Sequence, residues 1–347
     1  MHSYFNVSPE SPDGRFVLYY KSVAADGHTG EVRLLERATN TDTLVCGGVT
    51  TEDAHRAACQ QWVGDGRYIA WHDCREGEWQ VSCMEVSTRA SRVLARNRQL
   101  GFGTVLGSCV LLYGCHWNPG PHRGVEAANV ETGEVSALIP PEALLAAHGA
   151  FVLREFGEGR PVSLFFPVAA PSGERLFFKV AAGSGGSDFR SPTASHRQGL
   201  VVFSVPSASV GLLREAWGHP AWFPDSRRLI EMEDVVIDSE DGATTRVEHA
   251  FPALKGSHPA ISPDGRFLVK DGELPKELAQ APGEWGVVLC NLASGESRVL
   301  ARSREDGGAT SWRRNHPHPI FSSDSKRLYF NLNNEPFTRL WCAIVEE

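Results

Sequence analysis

Four histidines toward the C-terminal end are the residues whose type and spacing could do chemistry. His219, His258 and His318 each stand six residues before a turn aspartate, and each is followed by proline, in the segments HPAWFPD (219–225), HPAISPD (258–264) and HPIFSSD (318–324). His316 lies two residues before His318, and side chains two residues apart on a strand point to the same face. Equivalent positions in successive repeats predict that the four imidazoles converge.

Converging imidazoles would bind a divalent metal ion. Neutral imidazole is the commonest biological metal ligand, and three or four of them suit Mn, Zn, Fe or Ni. The alternative is that His-Pro only marks the start of a strand, where proline is tolerated and the imidazole bonds to a neighbouring backbone. Three histidines in register, joined by a fourth, favour the metal site.

Polar residues near predicted strand ends could supply the rest of such a site. Charged side chains at these places are often simply solvated, and that alternative stays open for each of them. The candidates are Lys179, which closes RLFFK, His196 and Arg197 at the end of a loop, Asp271, which closes FLVKD, and Arg313 and Asn315, just before His316.

An internal repeat must position these residues. A tight turn containing Asp, Gly or Ser, followed by β-branched and aromatic residues at strand spacing, predicts a hairpin corner. Six copies occur, SPDGRFVLYY (11–20), VGDGRYIAWH (63–72), APSGERLFFK (170–179), FPDSRRLIEM (223–232), SPDGRFLVKD (262–271) and SSDSKRLYFN (322–331), and a degenerate seventh lies within 101–118.

Further turns after most copies give each repeat about four strands, which is the unit of a β-propeller blade. Seven repeats in 347 residues make about 50 residues each, close to known propeller periods. The sequence therefore predicts an all-β, seven-bladed β-propeller of four-stranded antiparallel blades, forming a single domain over 1–347. In that fold the histidines would line the mouth of the central channel.

Two segments depart from the strand pattern. PPEALLAAHG (140–149) has helical periodicity and is expected to be a short helix that decorates a loop. AAGSGGSDFRSPTASHRQG (181–199) is too polar for a strand and is expected to be a loop, either functional or simply flexible.

The composition of the chain limits the kinds of partner that it is expected to bind. The net charge of −8 argues against broad binding of nucleic acid or an anionic membrane, which leaves a small partner. The chain has neither a signal-peptide pattern nor an apolar run of membrane-spanning length, so a cytoplasmic location is expected. The eight cysteines form no CxxC pair and are expected to be reduced. Patterns typical of acyl hydrolases, P-loop NTPases, zincins and dinucleotide-binding folds do not occur.

The segment WRRNHPHPIFSSDSKRLYFN (312–331) resembles the oligogalacturonate lyases, polysaccharide lyases built on a seven-bladed propeller. The resemblance implies a manganese site with His258, His316 and His318 as ligands. It further implies His219 as the Brønsted base and Arg197 as an arginine that engages the substrate.

One position departs from the family pattern. Arg313 stands where those lyases place a glutamine ligand. Protonated arginine cannot ligate a metal, so Asn315, Asp271 or water would fill the place, or the site would be weakened or lost.

The resemblance, together with the histidine register, implies a lyase that cleaves small anionic, uronic-acid-containing oligosaccharides by metal-assisted β-elimination. Arg313, His196 and Lys179 are the candidate substrate-binding residues, beside the catalytic pair His219 and Arg197. The alternative is a non-catalytic propeller of the TolB type that binds a protein or another ligand. Histidines that converge on a common point favour the lyase, and histidines that point apart favour the binding protein.

Overall fold

The computed structural model describes residues 1–183, 185, 194–216, 218–304, 316–333 and 336–345. Within these ranges the chain forms 26 β-strands, one α-helix and one short 3₁₀ helix, so the predicted all-β class is confirmed. None of the described helices is long and apolar enough to cross a membrane.

The strands before residue 106 form one three-stranded sheet, one four-stranded sheet and the first strand of a third. The three-stranded sheet contains β1 (Phe16–Ser22), β2 (Thr29–Glu36) and β3 (Thr41–Thr50). The four-stranded sheet contains β4 (Gln61–Val63), β5 (Tyr68–Arg75), β6 (Glu78–Glu85) and β7 (Ser91–Arg96).

The third sheet has eight strands and the helix α1 in its connection between β11 and β12. A single parallel pair, Phe102 with Val168, joins its two runs of four antiparallel strands. The elements are β8 (Arg98–Val105), β9 (Cys109–Gly114), β10 (Val125–Asn129), β11 (Val135–Ile139), α1 (Pro141–Phe156), β12 (Val162–Ala169), β13 (Arg175–Ala182), β14 (His196–Ser204) and β15 (Ser209–Arg214).

Three sheets complete the described strands, two with four strands and the last with three. Their strands are β16 (Ala221–Trp222), β17 (Arg228–Ile230), β18 (Val235–Asp238) and β19 (Thr244–Arg246), then β20 (Lys255–Ile261), β21 (Phe267–Glu273), β22 (Glu284–Asn291) and β23 (Ser297–Arg304), then β24 (Ile320–Phe321), β25 (Arg327–Leu332) and β26 (Arg339–Ile344). The 3₁₀ helix spans Met232–Asp234.

Chain contacts divide the protein into two compact units. The first comprises Met1–Trp62, His219–Asp238 and Ala243–Glu347, and the second comprises Val63–Gly218 and Ser239–Gly242. The first unit contains all four histidines that the sequence predicts to converge, namely His219, His258, His316 and His318. A single domain over 1–347 stays a prediction.

The repeated turn works as the sequence predicts. In the copy at 262–271 the Ser262 hydroxyl donates to Asp264 Oδ1 at 2.6 Å, and the Phe267 amide donates to Ser262 Oγ at 2.9 Å. Gly265 takes a φ of 73°, which favours glycine. The turn therefore fixes where β21 begins, and the copy at 11–20 uses the same bonds through Ser11 and Asp13.

The helix is longer than its sequence pattern predicted. α1 continues to Phe156, through a kink at His148, and it ends at Gly157. Phe151, Val152 and Phe156 are buried in the main hydrophobic cluster of the second unit. The expectation that this segment only decorates a loop was wrong, because its second half carries the apolar face that anchors it.

Both ends of the glycine- and serine-rich stretch are strand rather than loop. β13 runs to Ala182 and β14 begins at His196, with antiparallel pairing between these two residues. His196 and Arg197 therefore lie within a strand. The residues 184 and 186–193 of this stretch lie outside the described ranges.

The N-terminal segment is joined to the C-terminal sheet by a buried carboxylate. The Glu10 side chain is fully buried and accepts two bonds of 2.8 Å from Arg327, and another from the Tyr329 hydroxyl. Nearby, the His2 amide donates to Asn331 Oδ1 at 3.0 Å. These bonds hold residues 1–10 against β25, which follows the His-Pro-His segment and β24 along the chain.

Replacing Glu10 should show how much this junction contributes. Glu10→Gln removes the buried charge that faces Arg327 and leaves the guanidinium with Asp324 as its remaining carboxylate partner, so we expect the free energy of unfolding to fall by roughly 1–3 kcal/mol. Urea denaturation monitored by far-UV circular dichroism measures it. Glu36→Gln, on a more exposed arginine pair at 3.4 Å, is the matched control and should change stability by less than about 1 kcal/mol.

The turn aspartates should make stability sensitive to acid. Hydrogen bonding from the Ser11 hydroxyl lowers the pKa of Asp13 below 3.8, and the pKa values of Asp225, Asp264 and Asp324 are lowered as well. Their contribution to stability is therefore present above pH 3.8 and is lost as the pH falls below it. Changing all four to Asn should flatten the dependence of unfolding free energy on pH between about 2 and 4. An unchanged slope would contradict this account.

Candidate metal centre

Strand pairing and an unusual backbone position two of the predicted histidines. His258 lies in β20, directly opposite Asp271 in β21. His318 precedes β24 and has a φ of 47°, in the left-handed region that non-glycine residues rarely adopt. Such a backbone costs roughly 1–3 kcal/mol and persists where surrounding bonds hold it, often at functional sites.

One buried carboxylate supplies those bonds. Asp271 is fully buried, and its Oδ1 accepts from the His258 amide at 2.8 Å and contacts His258 Nδ1 at 2.9 Å. Its Oδ2 accepts from the His318 amide at 2.7 Å. With Nδ1 of His258 donating to Asp271, Nε2 presents its lone pair, which is the usual carboxylate–histidine arrangement of metal sites.

Four imidazoles converge on one place in the first unit. The ligand nitrogens of His55, His258, His316 and His318 all lie within 4.8 Å of one another. His55, His258 and His318 are buried, and His316 is partly exposed. Of the four histidines predicted to converge, His258, His316 and His318 do so, joined by His55, whereas His219 is not part of this group.

The geometry suits a single metal ion. Four atoms no more than 4.8 Å apart lie within about 3 Å of a common point, whereas imidazole nitrogens bind metals at about 2.0–2.1 Å. An inward movement of each nitrogen by about 1 Å or less would complete the contacts. Neutral imidazoles are donors for divalent transition metals, so the residues present fit such an ion.

Aromatic rings pack against the imidazoles. The ring of Tyr4 lies 4.7 Å from that of His318, and the ring of Phe5 lies 5.0 Å from that of His258. Trp285 stacks on His316 at 4.4 Å with an interplanar angle of 34°. Tyr4 and Phe5 are 1% exposed, so the N-terminal segment excludes water from one side of the cluster.

His219 lies beside the cluster but outside the ligand group. Its ring is 5.3 Å from that of His258, and its side chain is partly exposed. Its backbone amide donates to Glu231 Oε2 at 3.1 Å. His219 therefore lies outside the group of histidines that could hold a metal, and its role as a base stays a prediction.

His55 is the functional candidate that sequence reasoning missed. It lies between β3 and β4, outside the repeated turn, and it has no following proline. Glu52, Asp53 and Arg56 around it are also buried, although such a polar run is normally exposed. The sequence contains no local signal that distinguishes this run from an ordinary surface loop.

The other predicted site residues lie in the second unit or outside the described residues. Arg197 Nη2 lies 3.2 Å from His116 Nδ1, His196 Nε2 contacts Glu155 at 2.7 Å, and buried Lys179 donates to the Gly218 carbonyl at 2.6 Å. Arg313, with Asn315, lies outside the described residues. Catalytic or substrate-binding roles for these residues stay predictions.

Solved structures that resemble this chain agree with the sequence resemblance. The oligogalacturonate lyase of Vibrio parahaemolyticus matches 100% of this chain and 90% of its own at 14% identity, with a TM-score of 0.64. An oligogalacturonate lyase in complex with manganese matches 100% of this chain and 90% of its own at 16% identity, with a TM-score of 0.62. Hydrazine synthase of Kuenenia stuttgartiensis matches 99% of this chain and 96% of its own at 12% identity, with a TM-score of 0.54.

These matches define the class of fold. The chain resembles the oligogalacturonate lyases over its whole length, and its fold is all-β and propeller-like. No family model and no curated protein matches the sequence.

Removing the shared carboxylate should loosen the centre. Asp271→Asn replaces one acceptor oxygen by an amide group that donates, so at least one of the bonds from His258 or His318 is lost. Because the group is fully buried, we expect a loss of roughly 2–4 kcal/mol in unfolding free energy and a 10–100-fold weaker affinity for added Mn²⁺. Urea denaturation and isothermal titration measure the two effects. A variant that binds Mn²⁺ like the wild type would contradict the positioning role.

Proposed function

We propose that this protein is a lyase that cleaves uronic-acid-containing oligosaccharides by metal-assisted β-elimination. The observation that carries the proposal is the convergence of four imidazoles with His219 beside them, in a chain that resembles oligogalacturonate lyases over its full length. One of those lyases was solved in complex with manganese. Mn²⁺ is therefore the first metal to test.

β-Elimination from a uronide breaks the bond between C4 and the leaving oxygen and forms a double bond between C4 and C5. The C5 proton must be removed, the carboxylate charge must be offset, and the leaving oxygen must take up a proton. A divalent ion held by His258, His316 and His318 would supply charge stabilisation for the enolate-like transition state. The remaining tasks fall to side chains and water.

His219 is proposed as the base that takes the C5 proton. An imidazole titrates near neutral pH, so its neutral form can accept a proton without a large energetic penalty. Its partial exposure leaves the ring accessible to a substrate, while His258 and His318 are buried. Water would return a proton to the leaving oxygen.

Basic residues are proposed to recognise the substrate. Arg197 is proposed to engage a uronate carboxylate, since a guanidinium binds carboxylates in a bidentate manner. Arg313, His196 and Lys179 are proposed as further binding groups. The partner is thus a small anionic oligosaccharide, not nucleic acid or membrane, in a cytoplasmic setting.

We also propose the finer architecture of seven blades, although the first and last sheets have three strands among the described residues instead of the predicted four. If the eight-stranded sheet is two blades joined by the single Phe102–Val168 pair, the six sheets become seven units. Each unit then contains one copy of the repeated turn, counting the degenerate copy within 101–118.

A direct assay tests the proposed reaction. Incubation with saturated and unsaturated digalacturonate plus Mn²⁺ should raise the ultraviolet absorbance of the unsaturated product, and chelator should abolish the rise. His219→Gln should lower kcat by about 10²–10⁴-fold, because it removes a general base, while the bound metal per chain stays as in the wild type. Absorbance kinetics and elemental analysis measure the two quantities.

The control is His249→Gln, which changes a histidine outside the cluster and should leave both quantities unchanged. If a panel of uronides with metal supplied gives no absorbance rise, the lyase proposal is wrong and a non-catalytic binding role becomes the better account. Equal activity of wild type and His219→Gln would overturn the role of His219 alone.

A further inference from the structure

His55 lies closer to the His-Pro-His pair than the two members of that pair lie to each other. Its ring is 4.4 Å from that of His318 and 4.9 Å from that of His316, whereas those two rings are 5.8 Å apart. Its ring is 5.9 Å from that of His258. His55 therefore lies close to both members of the pair and to His258.

The segment that carries His55 is held in place by buried polar contacts. Asp53 Oδ1 accepts from the His55 amide at 2.8 Å and from the Arg56 amide at 3.2 Å. Arg56 and Glu52 form an ion pair in which each side chain is only 3% exposed. Burying such a pair is costly and adds little net stability, so positioning of the neighbouring histidine is a better account of it.

We infer that His55 is a fourth metal ligand and that it determines which ion the centre prefers. This inference rests on the metal site of the proposed function and does not depend on the lyase reaction. In the resembling family an amide oxygen from glutamine joins three histidines, and this chain has Arg313 at that position. His55 supplies a fourth nitrogen from a different part of the chain.

The exchange of an oxygen donor for an imidazole has a chemical consequence. Imidazole suits Zn²⁺, Ni²⁺, Cu²⁺ and Fe²⁺, whereas oxygen donors suit Mn²⁺. A centre of four imidazoles should therefore favour Ni²⁺ over Mn²⁺ by a larger margin than a centre of three imidazoles and an amide. The selectivity lies in His55, because the other three nitrogens are shared with the family pattern.

The test compares His55→Gln, which restores three imidazoles and an amide, with the wild type. Isothermal titration with Ni²⁺ and with Mn²⁺ gives both dissociation constants. We expect Ni²⁺ binding to weaken at least about tenfold, since loss of even an outer-shell partner costs that much, and Mn²⁺ binding to weaken clearly less. The absorption spectrum of bound Co²⁺ should also change, because one nitrogen donor is replaced.

Two controls keep the result interpretable. His249→Gln, in the same unit but outside the cluster, should leave both constants and the Co²⁺ spectrum unchanged. Urea denaturation of the metal-free proteins shows whether His55→Gln folds, and Arg56→Lys, which keeps His55 but perturbs its support, provides a second variant. Arg56→Lys should weaken Ni²⁺ binding more than Mn²⁺ binding, since it displaces the nitrogen on which the preference for Ni²⁺ depends.

Either of two results would overturn the inference. Unchanged Ni²⁺ affinity and Co²⁺ spectrum in folded His55→Gln would show that His55 is not a ligand, and equal losses for Ni²⁺ and Mn²⁺ would show that it does not set selectivity. The lyase assay is independent: altered selectivity without uronide cleavage would leave the inference standing and the proposed reaction wrong. Cleavage with unaltered selectivity would do the reverse.

Discussion

The contact between Asp271 and two histidine-bearing segments is the interaction on which the centre depends. A single buried carboxylate accepts from the backbone of His258 and of His318 and contacts the His258 ring. It ties β20 and β21 to the segment before β24, and it holds His318 in a left-handed backbone that would otherwise be unfavourable. Without this carboxylate, no shared contact would hold the segments of His258 and His318 together.

The N-terminal segment also packs against these imidazoles. The bonds that Arg327 and Tyr329 donate to Glu10 fix the segment against β25, so that Tyr4 and Phe5 pack on the imidazoles of His258 and His318. A low-dielectric surrounding strengthens electrostatic interactions with any bound charge. His316 and His219 are both partly exposed, in contrast to the buried His258 and His318.

The sequence predicted the part of the centre that follows the repeat. The six-residue spacing from histidine to turn aspartate places His258 and His318 equivalently because Ser262, Asp264 and their counterparts build the same turn each time. His55 could not be predicted, since it meets residues about 200 or more positions away through the fold, and no local period marks it. The second half of α1 was missed for a related reason: its buried face is defined by the sheet it packs on.

Different observations support the roles proposed for the second unit and those proposed for the histidine cluster. The fold likeness covers both units, whereas the converging imidazoles belong to the first unit alone. The central claim is therefore that one metal ion, bound by these imidazoles, meets a uronate substrate beside His219.

Anomalous diffraction at the manganese edge, from crystals soaked in Mn²⁺ and digalacturonate, would locate both the ion and the sugar. We expect one strong peak about 2.0–2.3 Å from the nitrogens of His258, His316 and His318, with a uronate carboxylate bound next to it and C5 facing His219. A peak elsewhere in the protein, or an ion at the histidines with the sugar bound away from His219, would contradict the central claim.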